Sequence, residues 1–406
     1  METINNDILS DGFRLEGSWA SDLKDALKKM NESTTILEID SSELIMYSII
    51  DMQEDNFVLA RLCPDEINNE MFFPTTRQKE YLKREGNYGK LPIKSLKNKG
   101  LTSELIRDIY ENGFFFQIKV NKRCITLVPS KLFLSTLCNQ MECGKMQIGR
   151  NIFRDLYLCS LLQNNGPFKI IYRTDNKYAG RLLGATSCRF LITPEDAVQS
   201  IWDELKKHDN DNFRIYFYSI THMKTVINFM KASEITICGH KFHFGCRFSF
   251  SDIARGSYSL ESTIIYGGAI IPLDDVSLKK HVGKFLVKDF VEDYCKKNII
   301  NKVMNNLNRA SKKKISSIKN TVTAFLKSAE FSKANGANAL RHQLRLAQYD
   351  DFFSSIPDQS GTEFDAIYCT GAVADYYLHQ KTEIQYEVLC KCIGKVWKEG
   401  LKKYAK

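Results

Sequence analysis

The chain has 406 residues, 43% of them apolar and 26% charged, a balance that supports a packed core and excludes wholesale disorder. That length admits two modest domains or one large domain with an appendage. No run approaches the roughly 18 consecutive apolar residues of a membrane helix, and the acidic opening Met1 to Asp7 is unlike an export signal, so the expectation is a cytoplasmic protein with no membrane partner.

In chain order, Ser18 to Met30 reads as a helix with Ser18 as its cap. Ile36 to Ile39, Leu44 to Ile50 and Phe57 to Leu62 are short apolar runs rich in β-formers, hence strands. Thr75 to Arg84 and Thr102 to Tyr110 are helix-prone, the second closed by Asn112-Gly113. Phe114 to Val120 and Cys124 to Val128 form a hairpin pattern, and Leu132 to Leu137 and Ile152 to Leu162 read as helical. Asn164-Asn165-Gly166-Pro167 is the strongest break in the first half.

Beyond it, Phe168 to Tyr172 and Arg181 to Leu191 flank the polar turn Asp175-Asn176-Lys177. Thr193-Pro194-Glu195-Asp196 then starts a helix that puts Val198, Ile201, Trp202 and Leu205 on one face. Arg214 to Ile220, Glu234 to Phe250 and Ser262 to Ile271 are β-rich, and the pattern turns helical past Pro272. The expected class is α+β, with a mostly antiparallel β-rich centre and a helical C-terminal region. The expected units are a mixed region over 1–165, a β-rich core over 166–275 and a helical region over 276–406 that includes a basic helix at 298–329.

Charge is unevenly placed. The whole chain carries +9, yet residues 279–333 hold fourteen Lys or Arg against four Asp or Glu, a local +10 that leaves the other 351 residues at about −1. From Asn298 to Ala329 there is no acid at all. Two apolar stripes at three-four spacing run through this stretch, Ile300, Val303, Leu307 and Ala310, then Ile315, Ile318, Val322, Phe325 and Ala329. Lys302, Arg309, Lys312, Lys313, Lys314 and Lys319 lie mostly off those stripes. A solvated outer face normally mixes signs, whereas a run of unrelieved like charge suits an anionic partner. These six residues are therefore the candidate nucleic-acid-binding residues. Phosphate contacts position without reading bases, so the expected partner is nucleic acid, DNA ahead of RNA, bound with little sequence preference.

Cys238-Gly-His240-Lys-Phe-His243-Phe-Gly-Cys246 gathers four metal-ligand types. As one straight strand it would hold its two cysteines roughly 26 Å apart, so it reads as buried strand residues and no metal is expected. The twelve cysteines, in a chain of this length, read as reduced core thiols. There is no P-loop, dinucleotide fingerprint, H-E-x-x-H or G-x-S-x-G, so neither catalytic residues nor a cofactor are assigned. Phe213, Tyr216, Tyr218 and Phe229, near Arg214, would suit base stacking if they stood on an open sheet, and suit strand packing otherwise. A protein-interaction factor whose basic face docks on an acidic partner is the alternative function, and an enzyme with a non-local site the third. A homo-oligomer is compatible with either.

Three stretches resemble the phage/plasmid-like proteins grouped as domain of unknown function 932. They are Gly180-Arg-Leu-Leu-Gly-Ala-Thr-Ser-Cys-Arg-Phe190 leading into Pro194 to Val198, then Phe244 to Ile271 with Leu278 to Lys284, and Phe364 to His379, where Gly371-Ala-Val373 lacks the family's Asn. The resemblance spans about residues 165–400. It implies a mobile-element origin and an intracellular setting, and brings no catalytic residues with it. The expected function is then a nucleic-acid-binding accessory protein of a phage, plasmid or integrated element, with single-strand binding or annealing in replication or recombination as its sharper version, and the alternative interaction factor belongs to phage defence or counter-defence.

Overall fold

The computed structural model describes residues 7–40, 43–62, 88–120, 123–140, 152–164, 167–175, 178–186, 193–208, 213–251, 253, 258–278, 287–328, 331, 354–378 and 386–401. Two large sheets dominate. The first has eight strands, β2 (Thr34–Ile39), β3 (Leu44–Gln53), β4 (Asn56–Leu62), β5 (Tyr88–Pro92), β6 (Phe114–Val120), β7 (Arg123–Pro129), β8 (Phe168–Arg173) and β9 (Ala179–Thr186), in the order β2-β8-β9-β7-β6-β3-β4-β5. Only β7 and β9 run parallel in it. The second has six antiparallel strands, β1 (Arg14–Gly17), β10 (Phe213–Thr221), β11 (Thr225–Ile237), β12 (His240–Phe250), β13 (Tyr258–Tyr266) and β14 (Ala269–Leu278), in chain order. Helices gather towards the C-terminus, and the protein is α+β.

Both faces of the first sheet are covered, which explains the unbroken apolar run of β6. Phe114, Phe116 and Ile118 pack with α4 (Lys131–Gln140) and α5 (Ile152–Asn164), while Phe115 points into the opposite core. That second core takes in α1 (Ala20–Ser33), α3 (Ser103–Asn112), α6 (Pro194–His208), α7 (Val287–Lys297) and one part of the six-stranded sheet. A third cluster covers Phe242, Phe244, Ile264 and Ile271 of the six-stranded sheet. It is built from α8 (Ile299–Ala310), α9 (Ile318–Leu326), α10 (Glu363–Leu378) and α11 (Tyr386–Glu399).

Local signals are met where they were strong. Thr102 accepts from Leu105 N at 3.2 Å to start α3, and Gly113 ends it at φ 84°, a left-handed conformation that costs glycine nothing. Thr193 accepts from Asp196 N at 3.1 Å at the head of α6. The first helix starts at Ala20, with Trp19 and not Ser18 at the cap position. A short α2 (Ile93–Asn98) was not read from the sequence, and the helix expected over 75–84 lies outside the described residues. Cys238 and Gly239 form a turn at φ 51° and 80° between β11 and β12, so Cys238 stands exposed outside the strand, and the β-rich run over 234–250 is a hairpin rather than one straight strand through Cys238 and Cys246.

Two larger expectations change. Strand pairing crosses the break at 164–167: β8 and β9 complete the first sheet, and β1, from the start of the chain, completes the second. A dense turn signal marks a reversal of direction, and says nothing about which strand pairs next. The basic stretch 298–329 is not one helix. Helix α8 ends at Ala310, Ser311 and Lys312 turn, and Lys314–Ile315 (β15) pairs with Gly361–Thr362 (β16). Helix α9 then begins behind Ser317, whose Oγ accepts from Asn320 N at 3.1 Å. The two apolar stripes in the sequence belong to two helices, with Ile315 buried on the strand between them.

A candidate nucleic-acid interface

Helix α8 is amphipathic, with Ile299, Val303, Leu307 and Ala310 buried. Lys302 and Arg309, seven residues apart, fall within about 20° of one another around the axis and roughly 10 Å apart along it. Both are exposed and form one short cationic stripe. The Arg309 guanidinium is held in place: its Nη2 donates to Asn306 Oδ1 at 2.8 Å, and buried Asn306 in turn donates to the Trp397 carbonyl at 2.9 Å. Lys312 and Lys314 continue the positive charge past the C-terminal end of α8, both exposed.

Lys313 behaves differently. Its Nζ lies 3.1 Å from Glu363 Oε2, and the Glu363 side chain is 4% exposed. The other Glu363 oxygen accepts from Leu401 N at 2.8 Å, and Glu363 N donates to the Lys313 carbonyl at 2.8 Å. Glu363, at the start of α10, therefore ties together Lys313 and Leu401, just past α11, and Lys313 leaves the group of cations available to a partner. Lys319 stands half-buried in the first turn of α9, which contains no acid. A cation there opposes the helix dipole. Among the described residues, no carboxylate comes within ion-pair distance of Lys302, Arg309, Lys312, Lys314 or Lys319.

The aromatic set reads otherwise. Phe213, Tyr218 and Phe229 are 8%, 4% and 1% exposed in the shared core, so an open stacking sheet is not formed by them. The His240 ring lies against Tyr368, tilted by 33° with ring centroids 3.9 Å apart, and among the described residues no group of three His, Cys, Asp or Glu is placed to hold a metal.

Sequence reasoning missed a cavity of about 350 Å³ at the start of α8. It opens at the seam between the two helical clusters that share one face of the six-stranded sheet, with Leu205 and Phe213 from one and Ile299 from the other. Two register breaks lie beneath it. In β11, Met230 pairs with Gly245 but Glu234 pairs with His243, and across β13 and β14 the register slips between Ser262 and Thr263. Such bulges re-aim side chains, and Lys231 and Ser262 both line the cavity. Gly245 permits the close approach, because a Cβ there would collide with the Phe229 carbonyl. Ser262 Oγ donates to Tyr294 Oη at 3.0 Å, and Lys231 Nζ sits 5.5 Å above the Phe213 ring. Six elements contribute to the lining, which is why no local pattern announces it.

No protein-family model matches the chain, and neither a curated protein nor a solved structure matches it.

Proposed function

We propose that the protein binds nucleic acid through the face formed by α8, the turn after it and the first turn of α9, with Lys302, Arg309, Lys312, Lys314 and Lys319 on phosphate. One observation carries this reading: five cations crowd a short segment and no carboxylate among the described residues offsets them. Crowded like charges repel, and an external polyanion removes that cost while releasing its own condensed counterions. The fixed Arg309 loses little side-chain freedom on contact. Contacts of this kind hold a backbone without selecting a sequence. The setting proposed with it, an intracellular one in a phage, plasmid or integrated element, rests on the resemblance of the three stretches.

Five phosphate contacts correspond to a log–log salt slope of about −4.5 on duplex DNA. Fluorescence anisotropy at several salt concentrations measures it. Changing Lys302, Lys312 and Lys314 together to Glu is expected to lower affinity by about 100-fold and flatten the slope by about three. Unchanged binding in that triple variant would overturn the assignment.

A further inference from the structure

We infer that the cavity at the head of α8 accepts a single unpaired nucleotide of a strand whose backbone lies on the basic face. This inference rests on the nucleic-acid reading above and deepens it.

Continuity comes first. Asn298 and Asn301 line the cavity, and the next residue along α8 is Lys302, the first cation of the stripe. A strand held on that stripe passes the mouth of the cavity. Size comes second: about 350 Å³ lies at the lower end of small-ligand pockets, right for one nucleotide and too narrow for a base pair with its two backbones. The lining is the third point. Phe213 offers an apolar wall with the Lys231 ammonium above it. The Asn298 and Asn301 amides each carry both donor and acceptor capacity, which matches the edges of a base. The hydroxyl pair Ser262 and Tyr294 closes the floor. Finally, the site is assembled by two breaks in strand register that a regular sheet would not contain, and breaks of this kind cluster at functional positions.

A duplex keeps its bases stacked and paired, and so cannot fill the cavity without paying to unstack one. The protein is therefore expected to prefer single-stranded DNA to blunt duplex of the same length. The test uses the full chain and anisotropy with a labelled single-stranded 12-mer and the matching blunt duplex. Asn301→Trp blocks the cavity from an exposed position, and Ser262→Ala removes one floor hydroxyl. Thermal melting confirms that each variant is folded. Asn301→Trp is expected to weaken single-strand binding about tenfold, with duplex binding unchanged, and Ser262→Ala to shift single-strand binding alone by a smaller factor. Equal losses on both DNAs, or no loss on either, would overturn the inference while leaving the basic face intact. If the wild-type chain binds neither DNA, both the basic-face reading and this one fail. If the triple Glu variant loses both DNAs and Asn301→Trp loses neither, only the cavity is excluded.

Discussion

The two ends of this molecule treat positive charge in opposite ways. In the N-terminal half, Arg173 and Arg181 lie in adjacent strands at 0% exposure, and each is held by internal partners, with Nη1 of Arg181 alone left without one. Arg181 donates to Asp108 Oδ2 at 2.5 Å and to the Leu9 carbonyl at 2.7 Å. Arg173 meets His222 Nδ1 at 2.6 Å and donates to Thr34 Oγ1 at 3.1 Å, while the other His222 nitrogen meets the Ser10 carbonyl at 2.7 Å. Arg154 is similarly held by Asp155 and the Asn112 carbonyl. In the C-terminal half, five cations fall between residues 302 and 319 with no carboxylate among the described residues within ion-pair distance of them. A guanidinium satisfied from within binds the fold together, because removing its partner strands a charge in a medium that cannot solvate it. Cations left at the surface contribute little to stability and keep their capacity for something outside.

Removing a partner on the internal side gives the largest expected effect. Asp108→Ala leaves Arg181 buried with only a carbonyl to accept from it, and chemical denaturation is expected to record a loss of about 3–5 kcal/mol. Nucleic-acid affinity of the folded fraction is expected to stay the same. A stability change below ~1 kcal/mol would mean that the buried network relaxes far more freely than its geometry indicates.

Next in size is an effect of pH. Burial, and then the Arg173 guanidinium, hold the His222 imidazole well below its usual range. The unfolded chain therefore takes up a proton near pH 6.5 that the folded chain refuses, and stability falls as pH drops below that point, by at most about 1.4 kcal/mol per pH unit. His222→Gln keeps an acceptor towards Arg173 and a donor towards the Ser10 carbonyl without titrating. Denaturation at pH 7 and pH 5.5 should show a smaller acid loss in that variant than in the wild type. Asp155 works the other way: burial pushes its carboxyl up to about 6. The folded state then holds the extra proton between about pH 4 and 6, and this contribution to stability declines as pH rises through that window. It is common to both proteins and cancels in the comparison.

The smallest effect tests the boundary between the two regimes. Lys313 belongs to the basic run by sequence and to the internal class by its contact with Glu363. Because Lys313 is partly exposed and Glu363 keeps the bond from Leu401 N, Lys313→Met is expected to cost only about 1 kcal/mol. Its binding curve and salt slope should match the wild type, unlike those of the surface lysines. A slope that flattens by about one would return Lys313 to the phosphate-binding set.

What could be read from the chain follows the range of the forces involved. The starts of α3 and α6 were legible because a cap and the amide it satisfies are three residues apart. The hairpin of β6 and β7 was legible because alternation and turn chemistry are local, whereas the turn at Cys238-Gly239 was hidden inside a continuous β-rich run. The basic segment was legible as a density of charge. Which lysine of Lys312, Lys313 and Lys314 would be neutralised was not, since the answer lies at Glu363, fifty residues further on. The same limit hid Arg173 and Arg181, which in strand sequence look like solvent-facing positions until Asp108 and His222 are brought to them. The cavity was hidden for a stronger reason: register slips between strands leave no mark on composition or periodicity.

The placement of β1 has a consequence for how the chain is made. Arg14 pairs with Thr221, and Gly17 with Tyr218. β1 leaves the ribosome ahead of β10 and must therefore wait about 200 residues for its neighbour. At 5–20 residues per second that is roughly 10–40 s, during which the eight-stranded sheet can complete itself while the other cannot begin. Assembly is thus ordered by topology, and a stall in synthesis between β9 and β10 would leave one finished sheet with a loose leading strand.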